Sequence, residues 1–280
     1  MRYFPLTTDR FEHQFGIRAL EESESIVEAT DLYHDEVALK RELLCRKEND
    51  YFRAIGDSLA AQRDVFELVL DVAPFLVNGE NQLTGEPIEC DDSKPLLSIG
   101  QHVQEDLTIM SGSLPGNPLI AGCVTFPSGW CIGDKLGQSI LQIHKPVPEF
   151  DTVLNPPTQK LLERLKVGRP VWRMNWGVRA SSQLDQSPQY AQELENARSR
   201  VTAENAGSCC FFRVERQTLA RLPKSNDILF AIHTHQASLD QLTDQQRSNL
   251  MGVLQSCPKE TLAYKGILSM KDALIQHLSD

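Results

Sequence analysis

Apolar positions along the chain follow two rhythms. In 35–46, DEVALKRELLCR, Leu39 with Leu43 and Val37 with Leu44 share a face at helical spacing. In 58–73, SLAAQRDVFELVLDVA, the residues Ala61, Val65, Leu68, Val69 and Val72 form one stripe. Asp57 or Ser58 is placed to cap that helix and Pro74 to stop it. Residues 78–98 read as loop with at most short strands. From 103 the rhythm becomes that of strands: VQEDLTIM (103–110) and LIAGCVTF (119–126) flank the turn-rich SGSLPGNP. A helix is expected within 152–166, with Pro156 and Pro157 near its first turn. PVWRMNWGVR (170–179) alternates, with Trp172, Met174, Trp176 and Val178 facing one way and Arg173 and Asn175 the other.

Residues 181–206 are polar and read as an excursion from the sheet, with one helix after Pro188. CCFFRVERQTL (209–219) and ILFAIHTH (228–235) are two further strands, and the end is helical. Capping boxes are expected at Thr243 with Gln246 and at Ser269 with Asp272. Helices, then antiparallel strands, then helices indicate an α+β fold rather than a parallel βαβ sheet.

Composition narrows the function classes. The 280 residues carry a formal net charge of −10, which argues against nucleic acid and anionic lipid as partners. The N-terminus lacks an apolar leader, and no apolar run nears the roughly 18 residues needed to cross a bilayer, so a cytoplasmic location with no membrane attachment is expected. Seven cysteines contain no CxxC, which fits neither a zinc ribbon nor a thioredoxin-type site and suggests reduced, mostly buried thiols. Dinucleotide, P-loop, GxSxG, HExxH and EF-hand signatures are all missing.

A few residues carry candidate chemistry. His144 sits beside Ile140, Leu141, Ile143 and Val147, and Pro146 and Pro148 fix the backbone leaving it. A neutral imidazole held against an apolar wall is what an axial haem ligand needs, and the commoner alternative is a half-buried histidine bonded to a backbone carbonyl. Arg173 and Asn175 share one strand face. Arg216 lies on the face of Phe212 and Val214 and wants an anionic partner, whether a ligand carboxylate or a neighbouring acid. Glu215 points the other way, together with Arg213, as a surface charge pair or as a carboxylate for a protonated amine. His233 and His235 face one side of their strand, which is expected close to the end of the sheet. Two imidazoles at that spacing suit a metal but need a third ligand, and none is near in sequence.

Several segments, taken together, resemble the haem-dependent oxidative N-demethylase family: GIRALEESESIVEATDLYHDEVALKRELL (16–44), FPSGW (126–130), DKLGQSILQIHKPVP (134–148), VWRMNW (171–176) and FRVERQTLARLPKSNDILFAI (212–232). The resemblance implies one haem-binding domain over 1–280, with a PAS-like five-stranded antiparallel sheet and helical extensions at about 1–77 and 240–280. It implies haem b, O2 and a small secondary amine such as dimethylamine, demethylated with release of formaldehyde. It also implies separate reductase components carrying NADPH, FMN and a 2Fe-2S cluster. In these terms His144 is the axial ligand and Arg173 and Arg216 are propionate partners, with Trp130 a further haem contact. Glu215 is the catalytic acid that receives the substrate ammonium, with Asn175 and Trp176 beside it. A haem-binding PAS-type sensor or carrier without turnover, and a haemless interaction subunit, stay open as alternatives.

Overall fold

The computed structural model describes residues 1–12 and 15–279. Strand β1 is Arg18–Ala19 and helix α1 is Tyr33–Tyr51, followed by β2 (Phe52–Ala54) and α2 (Leu59–Val72). Three two-residue strands, β3 (Leu76–Val77), β4 (Glu80–Asn81) and β5 (Glu86–Pro87), make a small sheet before α3 (Pro95–Gly100). Then come β6 (Asp106–Met110), β7 (Leu119–Cys123), the short helices α4 (Ile132–Lys135) and α5 (Ile140–Ile143), and α6 (Asn155–Arg164). Next are β8 (Val171–Arg179), α7 (Ala191–Arg198), α8 (Ala206–Cys209), and the long hairpin β9 (Phe211–Arg221) and β10 (Ile228–Ser238). Helices α9 (Asp244–Ser256), α10 (Lys259–Tyr264) and α11 (Lys271–Ser279) finish the chain.

The main sheet is antiparallel, in the order β1-β8-β9-β10-β6-β7-β2. The α+β reading therefore holds, but the sheet has seven strands where five were expected. Five longer strands form its middle, and the N-terminal segment adds a short strand at each edge, β1 against β8 and β2 against β7. Open edges leave unpaired backbone groups, and these short strands cover them. Strands of two or three residues are too brief to show a hydrophobic rhythm, which is why the pattern missed them.

The sheet separates three apolar clusters. On one face, α1, α2 and α3 pack over Leu107, Ile109, Ala121 and Leu229, while α9, α10 and α11 pack over Trp172, Val178, Phe212 and Val214. On the other face, Met110, Leu119, Leu219 and Ile228 meet Ile132, Ile140, Phe150 and Leu162 from the segment between β7 and β8. The predicted capping box at Thr243 and Gln246 is formed. Ser269 instead lies inside a 3-10 turn, Leu268–Met270, and α11 starts at Lys271. All seven thiols are free, and three of them, Cys123, Cys210 and Cys257, are buried, fewer than expected. Among the described residues no helix is long and apolar enough to cross a membrane.

Leu107 is fully buried on β6 beneath the N-terminal helices. Leu107→Ala is expected to lower stability by about 2–5 kcal/mol, seen as a lower denaturant midpoint at unchanged slope. A loss under about 0.5 kcal/mol would show that this cluster does not hold the helices to the sheet.

Candidate active site

A cavity of about 610 Å³ lies between the second sheet face and the segment joining β7 to β8. That volume is within the usual range for small-molecule and cofactor sites. Thr108, Met110, Arg173, Asn175, Glu215, Gln217, Leu219, Phe230 and Ile232 form its floor. Trp130, Ile143, His144, Val147, Phe150, Leu154 and Leu162 form a largely apolar wall, and residues 5–12 and the loop at Lys265 close the rim.

The local sequence explains how His144 is held. Ser139 and Gln142 form a reciprocal capping box that starts the single turn of α5, and His144 ends it. The Lys135 ammonium donates to the Ile143 carbonyl at 3.3 Å, and the Val147 amide donates to the His144 carbonyl at 2.8 Å. Beyond Pro148, Glu149 adopts a left-handed conformation (φ 57°), which turns the chain back into a wide helical turn at Phe150–Leu154. The Phe150 ring then stacks on the imidazole, 4.5 Å away and 9° from parallel. Nδ1 of His144 lies 2.9 Å from the Ile140 carbonyl oxygen. A carbonyl only accepts, so Nδ1 carries the proton and Nε2 carries the lone pair. Burial lowers the pKa of this ring, and Arg173 and Lys135 push it the same way, against the Ile140 carbonyl. The side chain is thus kept in the neutral form that metal ligation needs.

The polar end of the floor is set by strand register. Asn175 pairs with Glu215 and Arg173 with Gln217, so all four side chains stand on the cavity face. Glu215 accepts from the Asn175 amide at 3.2 Å and from the Gln217 amide at 2.9 Å. The buried Nε of Arg173 has no hydrogen-bond partner. Lys265 donates to the Trp176 carbonyl at 2.7 Å and to Asn175 Oδ1 at 3.4 Å, 4.7 Å from the centre of the Trp176 ring. Burial and then Arg179 bring its pKa down to about 8. Arg179 itself donates to the Lys265 carbonyl at 2.7 Å. The sequence reading missed both cations. Arg179 was visible as the next member of the Arg173, Asn175 alternation. Lys265, just before a glycine at a helix end, looked like an ordinary C-terminal lysine.

His144, Trp130, Arg173, Asn175, Trp176 and Glu215 all line the cavity. Trp176 reaches it from beyond the sheet edge, since its ring packs on Phe212 at 5.8 Å. Arg216 is not brought in. It lies on the opposite face, fully buried, donating to the Ser25 carbonyl at 2.8 Å and standing 3.6 Å from Glu28. A single residue step along a strand reverses the face, so Glu215 and Arg216 cannot both reach one ligand. The paired histidines also lie on that opposite face. They are not near the end of the sheet, because β10 is an inner strand between β9 and β6.

The family model described as haem-dependent oxidative N-demethylase, alpha subunit-like, matches residues 16–275. The chain belongs to this family. Its members are haem-dependent by description, and the cavity suits that group. The wall offers a neutral imidazole with a fixed tautomer. Among the described residues the lining carries seven Lys or Arg side chains and two Glu. That is a cationic cavity in a chain of net charge −10, which suits a ligand with two carboxylates. The unpartnered Nε of Arg173 is one place such a carboxylate would bond.

Lys265 titrates near pH 8 in the native protein, below its ordinary value of 10.5. The unfolded chain then binds a proton that the native state has lost, so this residue makes stability rise from about pH 8 to about 10.5. Lys265→Met is expected to remove that part of the rise, read from denaturant midpoints at pH 8 and pH 10. An identical rise in both proteins would show that Lys265 is not buried as a cation.

Proposed function

We propose that this chain is the catalytic subunit of a haem b-dependent monooxygenase that removes a methyl group from a small secondary amine of the dimethylamine type, releasing formaldehyde. The observation that carries the reading is the Nδ1-anchored imidazole of His144 in the wall of a cationic cavity, in a member of this family. His144 would ligate the iron, Arg173 would bond a propionate with Arg179 and Lys265 adding positive field, and Trp130 would contact the haem. The five longer strands, in the order third, fourth, fifth, first and second along the chain, are read as a PAS-like core.

When bound, haem supplies the O2 chemistry that breaks the N-methyl C–H bond, which no side chain does alone. The residues of the chain do the rest. Glu215 receives the substrate ammonium, since a charge-assisted hydrogen bond in a partly dry site localises a small cation well. Asn175 and Gln217 hold that carboxylate in place through its two amide contacts. Trp176 offers an aromatic face to the same cation. Lys265, bonded to the other end of the Asn175 amide and titrating near 8, is suited to hold or release a proton at working pH. Ile143, Val147, Phe150, Leu154 and Leu162 keep water from the reacting end. Electrons come from separate NADPH-linked components carrying FMN and a 2Fe-2S cluster, which this chain has no motif to bind. A cytoplasmic location completes this reading.

Three measurements test this. Haem-loaded protein, reduced in air with dimethylamine, is expected to yield formaldehyde in proportion to amine. No product across a panel of methylamines would leave a haem sensor or carrier as the function. His144→Ala is expected to change the ferric absorption spectrum or abolish haem binding, and an unchanged spectrum would place the ligand elsewhere. Glu215→Gln at unchanged haem content is expected to raise KM for the amine roughly 10- to 150-fold, the worth of one hydrogen bond to a charged group. An unchanged KM would remove Glu215 from substrate binding.

A further inference from the structure

Strand β10 carries two imidazoles that the proposed reaction does not use. His233 and His235 stand on the face away from the cavity, with rings stacked 4.1 Å apart. The third ligand that the sequence did not provide nearby comes from the N-terminal segment. Glu28 meets both rings, and one ligand atom from each of the three residues lies within 4.8 Å of the others. His233 is 1% exposed, and neither its Nε2 nor that of His235 has a hydrogen-bond partner. We infer that Glu28, His233 and His235 bind a divalent transition-metal ion, with zinc the best fit, and that this ion fastens the N-terminal segment to the back of the sheet.

The surroundings support a built site. Two imidazoles and a carboxylate are a ligand set that zinc takes, with water in the fourth position. Metal-ligating histidines usually give their other ring nitrogen to a carboxylate, and Glu105 Oε1 lies within ion-pair distance, 2.9 Å, of Nδ1 of His233, although not aligned as a hydrogen bond. Glu105 also accepts the backbone N–H of Glu28 at 2.8 Å, so one residue positions two of the three ligands. The Tyr3 hydroxyl donates to the Glu28 carboxylate, at 2.7 and 2.8 Å from its two oxygens.

Charge points the same way. Glu28, Glu105 and Glu36, the last bonded to Gln104 and close enough to act on His233, surround this spot. The buried counter-charges are Arg216, 3.6 Å from Glu28, and Lys40 and Arg213, which both act on Glu36, with Lys40 also 3.6 Å from Asp106, while Arg2 on the Glu28 carboxylate is largely exposed. These cations oppose another, but Glu28, Glu36, Glu105 and Asp106 still outnumber Arg216, Lys40 and Arg213, an excess of the sign that a divalent ion balances. Bonds of roughly 2.0–2.2 Å ask the donors to draw together by about 1 Å. The ion would join residue 28 to residue 235 and, through Tyr3, steady residues 5–12 that form part of the cavity rim.

The test uses the full chain, stripped with a chelator and then titrated with zinc chloride, with zinc and haem iron counted separately. The expected result is about one zinc per chain and a raised unfolding temperature. Cobalt in its place should show the absorption of a low-coordinate ion with nitrogen ligands. Glu28→Gln, close to isosteric, and His235→Ala should each weaken zinc binding at least tenfold at unchanged haem content. Glu28→Gln alone decides the matter if His235→Ala does not fold. The inference is overturned by less than about a tenth of an equivalent of zinc and cobalt. It is equally overturned if zinc stays bound in the variants, which would assign it to surface groups such as the exposed Cys45.

Discussion

The hairpin of β9 on β10 runs through eleven consecutive pairs without a bulge, from Phe211 opposite Ser238 to Arg221 opposite Ile228. That unbroken register decides what each side of the sheet can do. Side chains alternate along a strand, so Glu215, Gln217 and Leu219 must face one way, and Val214, Arg216 and Thr218 the other. The β8 pairing extends the choice by setting Arg173 and Asn175 beside the cavity-facing residues. A slip of β9 by one residue would bring Arg216 into the cavity and turn Glu215 out of it, and a slip of β10 would bring in the two histidines. The register is secured because both faces are buried, by different clusters, and a slipped strand would put charge into each.

The two faces solve different electrostatic problems. On the cavity side, cations gather around few carboxylates, and Arg173, Arg179 and Lys265 are part-buried there, which lowers the pKa of each. Cations gathered in this way favour an anionic ligand, and a group with two carboxylates is of the sign they would take. On the far side the imbalance is reversed. Carboxylates from Glu28, Glu36, Glu105 and Asp106 outnumber the buried Arg216, Lys40 and Arg213, around two imidazoles that have no hydrogen-bond partner at Nε2. Each excess is unfavourable by itself, and each is of the sign that a bound group would cancel.

How much of this was legible in the sequence follows from the range of each signal. The long strands and the α1, α2 and α9 helices announced themselves because periodicity is local. So did the faces of Arg173, Asn175, Glu215 and Arg216, from alternation alone. The consequence for Arg216 was lost when a family role was set beside that alternation, since a residue on the face of Phe212 and Val214 cannot share a ligand with its neighbour Glu215. The buried state of His233 and His235 depended on β10 becoming an inner strand, which is a fact of topology. Glu28, more than 200 residues away, and Lys265, on a loop after α10, were beyond any local pattern, because their contacts form only when distant segments pack.

His144 shows why the candidate ligand is not on the sheet at all. A strand residue shares its face with neighbours two positions away, and its orientation is fixed by the ladder. A ligand that must stand across a cavity from that face has to come from the covering segment, where backbone is otherwise free to vary. Here one helical turn, a capping box, a lysine on a carbonyl, two prolines and a left-handed residue remove that freedom in succession. Fixing each of these residues costs roughly 1–2 kcal/mol of backbone entropy, far more than the Nδ1 hydrogen bond returns. The stretch is therefore held mainly by the apolar contacts of Ile140, Phe150 and Leu162 beneath it. The chemistry of the imidazole thus rests on the packing of its neighbours, and a change in that packing would act on the ring before it acted on the fold.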